Sequence, residues 1–141
     1  MRYEQAQSIE SVQNGLEGQG YFPSEGLASA IFLAISLQRP IFLEGEPGVG
    51  KTEVAKVLSS WLDTDLIRLQ CYEGLDASHA IYEWDYSKQL LHLRTTEASG
   101  RAKQIDEKAL EDELYNQRFL VRRPLLKAID YGGETPPVLL I

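Results

Sequence analysis

Apolar positions recur along the chain at two different periods, and the spacing separates helices from strands. Ile9, Val12 and Leu16 fall at helical intervals, and Gly18 and Gly20 close that segment. Tyr21-Phe22-Pro23 reads as a short extended link. Ser24 then stands as the N-cap of a helix reaching about Gln38, with Leu27, Ile31, Ala34 and Ile35 on one face. Arg39-Pro40 stops this helix. The unbroken apolar run Ile41-Phe42-Leu43 predicts a strand buried on both faces.

After a glycine-rich stretch the helical period returns, with Val54, Val57, Leu58, Trp61 and Leu62 on one stripe. The turn Asp63-Thr64-Asp65 leads into a second strand over Leu66 to Leu69. Between Cys71 and Glu107 the pattern is weaker. Ala80 to Trp84 reads as helix, and Gln89 to Arg94 fits helix or strand. Glu107 to Leu114 predicts a helix. Pro124 opens another that runs to Tyr131 and ends at Gly132-Gly133. Val138 to Ile141 is a third apolar strand. Strand, glycine loop, helix, strand, helices, strand is the order of a parallel α/β sheet.

The 141 residues suffice for one domain with a core of its own. A net charge of -7 argues against a nucleic-acid footprint, which needs a basic face. One cysteine, Cys71, excludes an internal disulfide framework and fits a reducing compartment; it reads as a small buried hydrophobe. The apolar stretch Leu27 to Leu37 is too short for a bilayer, and residues 1–20 are too polar for a signal peptide. A cytoplasmic protein is expected.

One motif changes this picture. Gly45-Glu46-Pro47-Gly48-Val49-Gly50-Lys51-Thr52 satisfies G-x-x-x-x-G-K-[ST] at each fixed position. Glycines let successive amide N–H groups turn toward phosphate oxygens, and the helix that follows aims its positive end at the same anion. Lys51, the catalytic candidate, would reach the β- and γ-phosphates, and the Thr52 hydroxyl would ligate Mg²⁺. Glu53, on the first helical turn, completes the nucleotide-binding candidates Gly45 to Glu53, although a solvated helix residue is the simpler account of it. The motif follows a predicted strand and opens an amphipathic helix, which is the context the chemistry requires. P-loop hydrolases also need an acidic residue at the end of another strand. No apolar strand here is followed by an acidic pair.

With its flanks, the motif resembles the MoxR-type ATPases of the dynein-related AAA+ group. RPIFLEGEPGVGKTEVAKVLSSWL (Arg39 to Leu62) and LIRLQCYEGLDASHAIYEWDYSKQLL (Leu66 to Leu91) carry the resemblance, and FLVRRPLLKAI (Phe119 to Ile129) and PPVLLI (Pro136 to Ile141) extend it. The first block is generic to P-loop proteins; the CYEGLD segment with its Tyr-Glu-Trp is more distinctive. The resemblance implies a P-loop NTPase (AAA+) fold, a three-layer α/β/α parallel sheet incomplete at the C-terminus. Residues 1–20 would form a lead-in, and 21–141 a partial nucleotide-binding domain. It implies ATP and Mg²⁺ as cofactors, ATP/ADP as partners, ATP hydrolysis between subunits of a homo-oligomeric ring, usually a hexamer, in the full-length protein, and a chaperone-like remodelling or maturation role on a client protein. In similar proteins Asp-Glu directly follows PPVLLI, so a fragment that binds nucleotide without hydrolysing it is the alternative. A small P-loop kinase is a weaker one.

Other residues carry competing readings. Tyr21, Phe22 and Pro23 suit core packing or an adenine contact. Tyr72, Tyr82, Trp84 and Tyr86 suit packing or contact with a client. His79 and His92 lack partners at metal-ligand spacing. Arg122 and Arg123 suit a solvated helix start or a subunit contact, and Glu111-Asp112-Glu113 reads as a solvated helix face.

Overall fold

A computed structural model describes residues 3–101 and 105–141, so Met1 and Arg2 of the 1–20 lead-in lie outside the described residues. The chain divides into two compact units, one made of Met1–Gln70 with Asp130–Ile141 and the other of Cys71–Ile129.

The first unit is built from three helices and a parallel strand pair. Helix α1 (Ile9–Gly18) starts at Ser8, whose hydroxyl accepts from the Ser11 amide while Ser11 returns the bond. Helix α2 (Glu25–Leu37) starts at Ser24, as the sequence predicts, and ends in a left-handed Gln38. Helix α3 (Lys51–Trp61) carries the expected apolar stripe, with Val54, Val57 and Leu62 buried. Val12 and Leu16 of α1, Ala28 and Ile31 of α2, and Val54 and Val57 of α3 form one core with Ala6.

Strand β1 (Leu66–Arg68) pairs in parallel with β4 (Val138–Leu140), Ile67 standing opposite Leu139. Two side chains pin the approach to β4. The Thr64 hydroxyl donates to the Thr135 and Pro136 carbonyls, and Tyr3 donates to Pro136 as well. The phenol of Tyr131 donates to Asp65, an arrangement that holds its pKa above the ordinary value. The helix expected to reach Tyr131 stops at Ile129, which leaves Tyr131 available for this bond.

The run Ile41-Phe42-Leu43 corrects the sequence reading. It is not a strand among the described residues, and it is not buried on both faces. Ile41 and Leu43 pack on the core, whereas Phe42 is 87% exposed. No strand bonds to this segment, so its backbone has nothing to form a ladder with. The parallel sheet that the pattern predicts is therefore a two-stranded pair among the described residues.

Gly15 sits where α1 crosses α3. A Cβ at this position would overlap the indole ring of Trp61. Alanine normally gains about 1 kcal/mol over glycine inside a helix, but forced overlap costs about 1–3 kcal/mol. Gly15→Ala is expected to lower the urea midpoint. Gly26→Ala, where nothing lies within 4 Å of the new carbon, should raise it.

The second unit is mostly helical. Helix α4 (Ala77–Ile81) is capped by Asp76, and α5 (Tyr86–Ala98) by Asp85. Both carboxyls are held below the ordinary range, first by the backbone amides they accept from, at His79 and Lys88. Tyr82–Trp84 is strand β2 and not helix. It pairs antiparallel with β3 (Leu120–Arg122), which local pattern did not reveal. Tyrosine and tryptophan favour a strand once a partner exists, and the partner lies far along the sequence. Helix α6 (Glu107–Leu114) has the predicted bounds, a 3₁₀ turn follows at Gln117–Phe119, and α7 (Pro124–Ile129) ends the unit. Cys71 is exposed, contrary to the expectation of a buried hydrophobe.

Candidate phosphate-binding site

The glycine loop lies between the extended segment at Leu43 and the first turn of α3. Packing of Ile41 and Leu43 on one side and Val54 and Val57 on the other anchors both ends in the core. The residues between are exposed apart from half-buried Gly50 and Lys51. Gly48 has φ of 86° and Gly50 φ of 91°, a left-handed conformation that costs L-residues about 1–2 kcal/mol. Left-handed Gly50 followed by helical Lys51 turns consecutive N–H groups toward one side, as in an anion-binding nest.

The start of α3 differs from those of α1, α2, α4 and α5. Ser8, Ser24, Asp76 and Asp85 each cap their helix with a side-chain oxygen. Gly50 brings no capping oxygen to α3. Intrahelical bonding begins with Glu53, whose amide donates to the Gly50 carbonyl. From Gly48 to Thr52, no backbone N–H donates to an acceptor among the described residues. Exposed donors of this kind at a helix start are ready to accept an anion.

Lys51 leans over the same loop. Its Nζ donates to the carbonyl oxygens of Gly45 at 2.6 Å and Glu46 at 2.7 Å. The ammonium is thereby held against the limb opposite the free amides. Glu53 is drawn elsewhere, because its carboxylate pairs with Lys56 at 2.8 Å on the exposed side of α3. Its amide is bonded to the Gly50 carbonyl as well. Thr52 is exposed at the helix start.

Tyr21 is half-buried, and its ring lies 3.8 Å from where a Cβ on Gly50 would stand. Its amide donates to the Leu16 carbonyl, so α1 fixes it beside the loop. Phe22 projects into solvent. A cleft of about 390 Å³ lies elsewhere in this unit, lined by apolar residues such as Ile31, Ile35, Leu58 and Val138. Arg39 and Gln38 stand among its mainly apolar walls, whereas the loop offers amides and an ammonium.

In the second unit, the aromatic residues are only partly assembled. Trp84 stacks edge-on with Tyr82 at 6.0 Å and with Tyr115 at 5.2 Å. Tyr72 and Tyr86 are exposed. Arg123 is exposed at the start of α7, as expected from the sequence, and there pairs with Glu83 of β2. Glu113 is not a solvated helix residue either, since it pairs with His92 and Arg101.

A glycine nest at the head of a core-anchored helix, with a lysine over it, defines a P-loop nucleotide-binding protein. The sequence profile of the AAA domain (dynein-related subfamily) matches residues 40–118, more than half of the chain, and the chain belongs to this family. Comparisons with curated proteins and with solved structures give no significant match. No helix among the described residues is long and apolar enough to cross a membrane.

Proposed function

We propose that residues Gly45 to Thr52 bind the polyphosphate of ATP with Mg²⁺, in a MoxR-type member of the family. The observation that carries this reading is the run of N–H groups from Gly48 to Thr52 without protein acceptors, at a helix start that has no side-chain cap. These amides would hold phosphate oxygens. Lys51 would exchange its two carbonyl acceptors for the anion, a stronger charge-assisted partner. The Thr52 hydroxyl would ligate the metal. Glu44, Glu46 and Glu53 place three exposed acidic residues in and beside the loop that carries Lys51, so the loop alone is a poor counter-charge for a triphosphate. Bound Mg²⁺ would supply the missing positive charge.

The finer assignment to MoxR-type proteins rests on CYEGLD at Cys71 to Asp76 and Tyr-Glu-Trp at Tyr82 to Trp84. With it come a ring assembly that brings subunits together and a remodelling role on a client protein, both properties of similar proteins. Titration with a fluorescent ATP analogue in the presence of Mg²⁺ tests the reading. Displacement by ATP and by inorganic triphosphate, with none by adenosine, is the expected result. Displacement by adenosine alone would overturn it, because binding would then be through the base and not the loop.

A further inference from the structure

Helix α5 turns polar side chains inward. Gln89 and Thr96 are buried, while Tyr86, Leu90 and Leu91 of the same helix are exposed. Gln89 donates from Nε2 to the Leu114 carbonyl at 2.6 Å, tying α5 to the end of α6. His92, one turn further along, is the centre of a cluster of charged groups drawn from three elements. Its Nε2 lies 3.1 Å from Glu113 Oε2 on α6 and 2.9 Å from the Arg118 guanidinium in the 3₁₀ turn. Arg101 holds the other oxygen of Glu113 at 3.1 Å. The imidazole leans on the ring of Phe119, which is buried, and the Arg118 guanidinium stacks over the same ring at 4.5 Å. The His92 and Glu113 side chains are 19% and 31% exposed, so water only partly competes.

Two partners of one nitrogen make opposite demands. Arginine has only donors, so Arg118 requires Nε2 to be an unprotonated acceptor. Ionised Glu113 has only acceptors, so it requires Nε2 to carry a proton. A single protonation state cannot serve both. The neutral ring bonded to Arg118 places a lone pair against the carboxylate; the imidazolium bonded to Glu113 places a proton against the guanidinium. Glu113 stays ionised as this happens, because its carboxyl is held below the ordinary range, first by its hydrogen bond with His92 and further by Arg101.

We propose that His92 is a proton-controlled latch, bonding Arg118 when neutral and Glu113 when protonated. As pH falls, a proton from solvent binds Nε2. The N–H then donates to Glu113, and Arg118 gives up its bond. Asn116 caps the 3₁₀ turn by accepting from the Arg118 amide, and the Phe119 carbonyl accepts from the Asp85 amide at the head of α5. Release of the Arg118 side chain therefore loosens a turn that joins α6 to β3 and contacts α5.

The test uses the 141-residue chain and side-chain NMR between about pH 5.5 and 8. His92 should convert from a neutral ring accepting at Nε2 to an imidazolium. The guanidinium signals of Arg118 should lose their bonded signature with the same midpoint, and amide exchange should rise at Gln117 to Phe119. In His92→Gln the carboxamide both donates and accepts at every pH, so the fold is retained and the pH response of Arg118 should disappear. Arg118 signals that stay constant through the His92 titration would overturn the proposal. So would a pH response that survives in His92→Gln, or a ring that does not titrate in this range.

Discussion

Replacing Lys51 by alanine is expected to weaken binding of MgATP by about 10- to 100-fold, the equivalent of the 1.5–3 kcal/mol carried by a hydrogen bond to a charged group. Stability of the fold should change by no more than about 0.5 kcal/mol, the usual range for a surface position. The two effects separate because of where the side chain goes. Lys51 donates only to the exposed carbonyls of Gly45 and Glu46, and its backbone starts a helix whose core contacts begin at Val54. Removing the ammonium leaves α3 seated and the amides from Gly48 to Thr52 in place, so residual affinity should remain and should still depend on phosphate. Isothermal titration with MgATP beside a urea melt measures both quantities. Unchanged affinity in Lys51→Ala would refute the assignment of the loop, and a large loss of stability would mean that the lysine serves the fold.

Elements with strong periodicity or a capping residue were legible before any coordinates. Ser24 and Pro124 mark real helix starts, Glu107 to Leu114 has its observed bounds, and the loop from Gly45 to Thr52 lies where its motif requires, ahead of α3. These signals are local, because a cap or a glycine acts within one turn of itself. What was not legible depends on partners distant in sequence. Ile41 to Leu43 has the composition of a buried strand, but a strand is defined by its neighbour, and no neighbour bonds to it among the described residues. Tyr82 to Trp84 became a strand because Leu120 to Arg122 returns beside it.

The same reason hid the charged cluster of the second unit. His92, Glu113 and Arg118 are separated by 21 and 26 residues from the histidine, and no spacing rule connects them. Read linearly, Glu113 belongs to an acidic run on a solvated helix. In the fold it is a hydrogen-bond partner shared by the His92 imidazole and the Arg101 guanidinium. The site residues were easier to read than this cluster because phosphate recognition by backbone requires its residues to be consecutive, whereas recognition between side chains does not.

Leu16→Ala should cost the first unit about 2–5 kcal/mol, the range for emptying a leucine site in a packed core. Leu16 is fully buried and belongs to the core that joins α1 with α2 and α3. Total stability of a domain is only about 5–15 kcal/mol, so the variant should sit close to its unfolding threshold at physiological temperature. The position also reaches the phosphate loop. The Leu16 carbonyl accepts the amide of Tyr21, whose ring lies beside Gly50, so a collapsing cavity would shift the wall of the site as well as the core. The measurement is a urea melt with and without MgATP. The midpoint should fall with its slope preserved, and ligand should restore part of the loss, because ligand that binds only the folded state adds stability in proportion to the logarithm of its saturation. A midpoint within error of wild type would mean that α1 is an appendage to the nucleotide-binding unit. A lowered midpoint that MgATP cannot raise, in a protein that binds it when folded, would mean that α1 and the loop unfold separately.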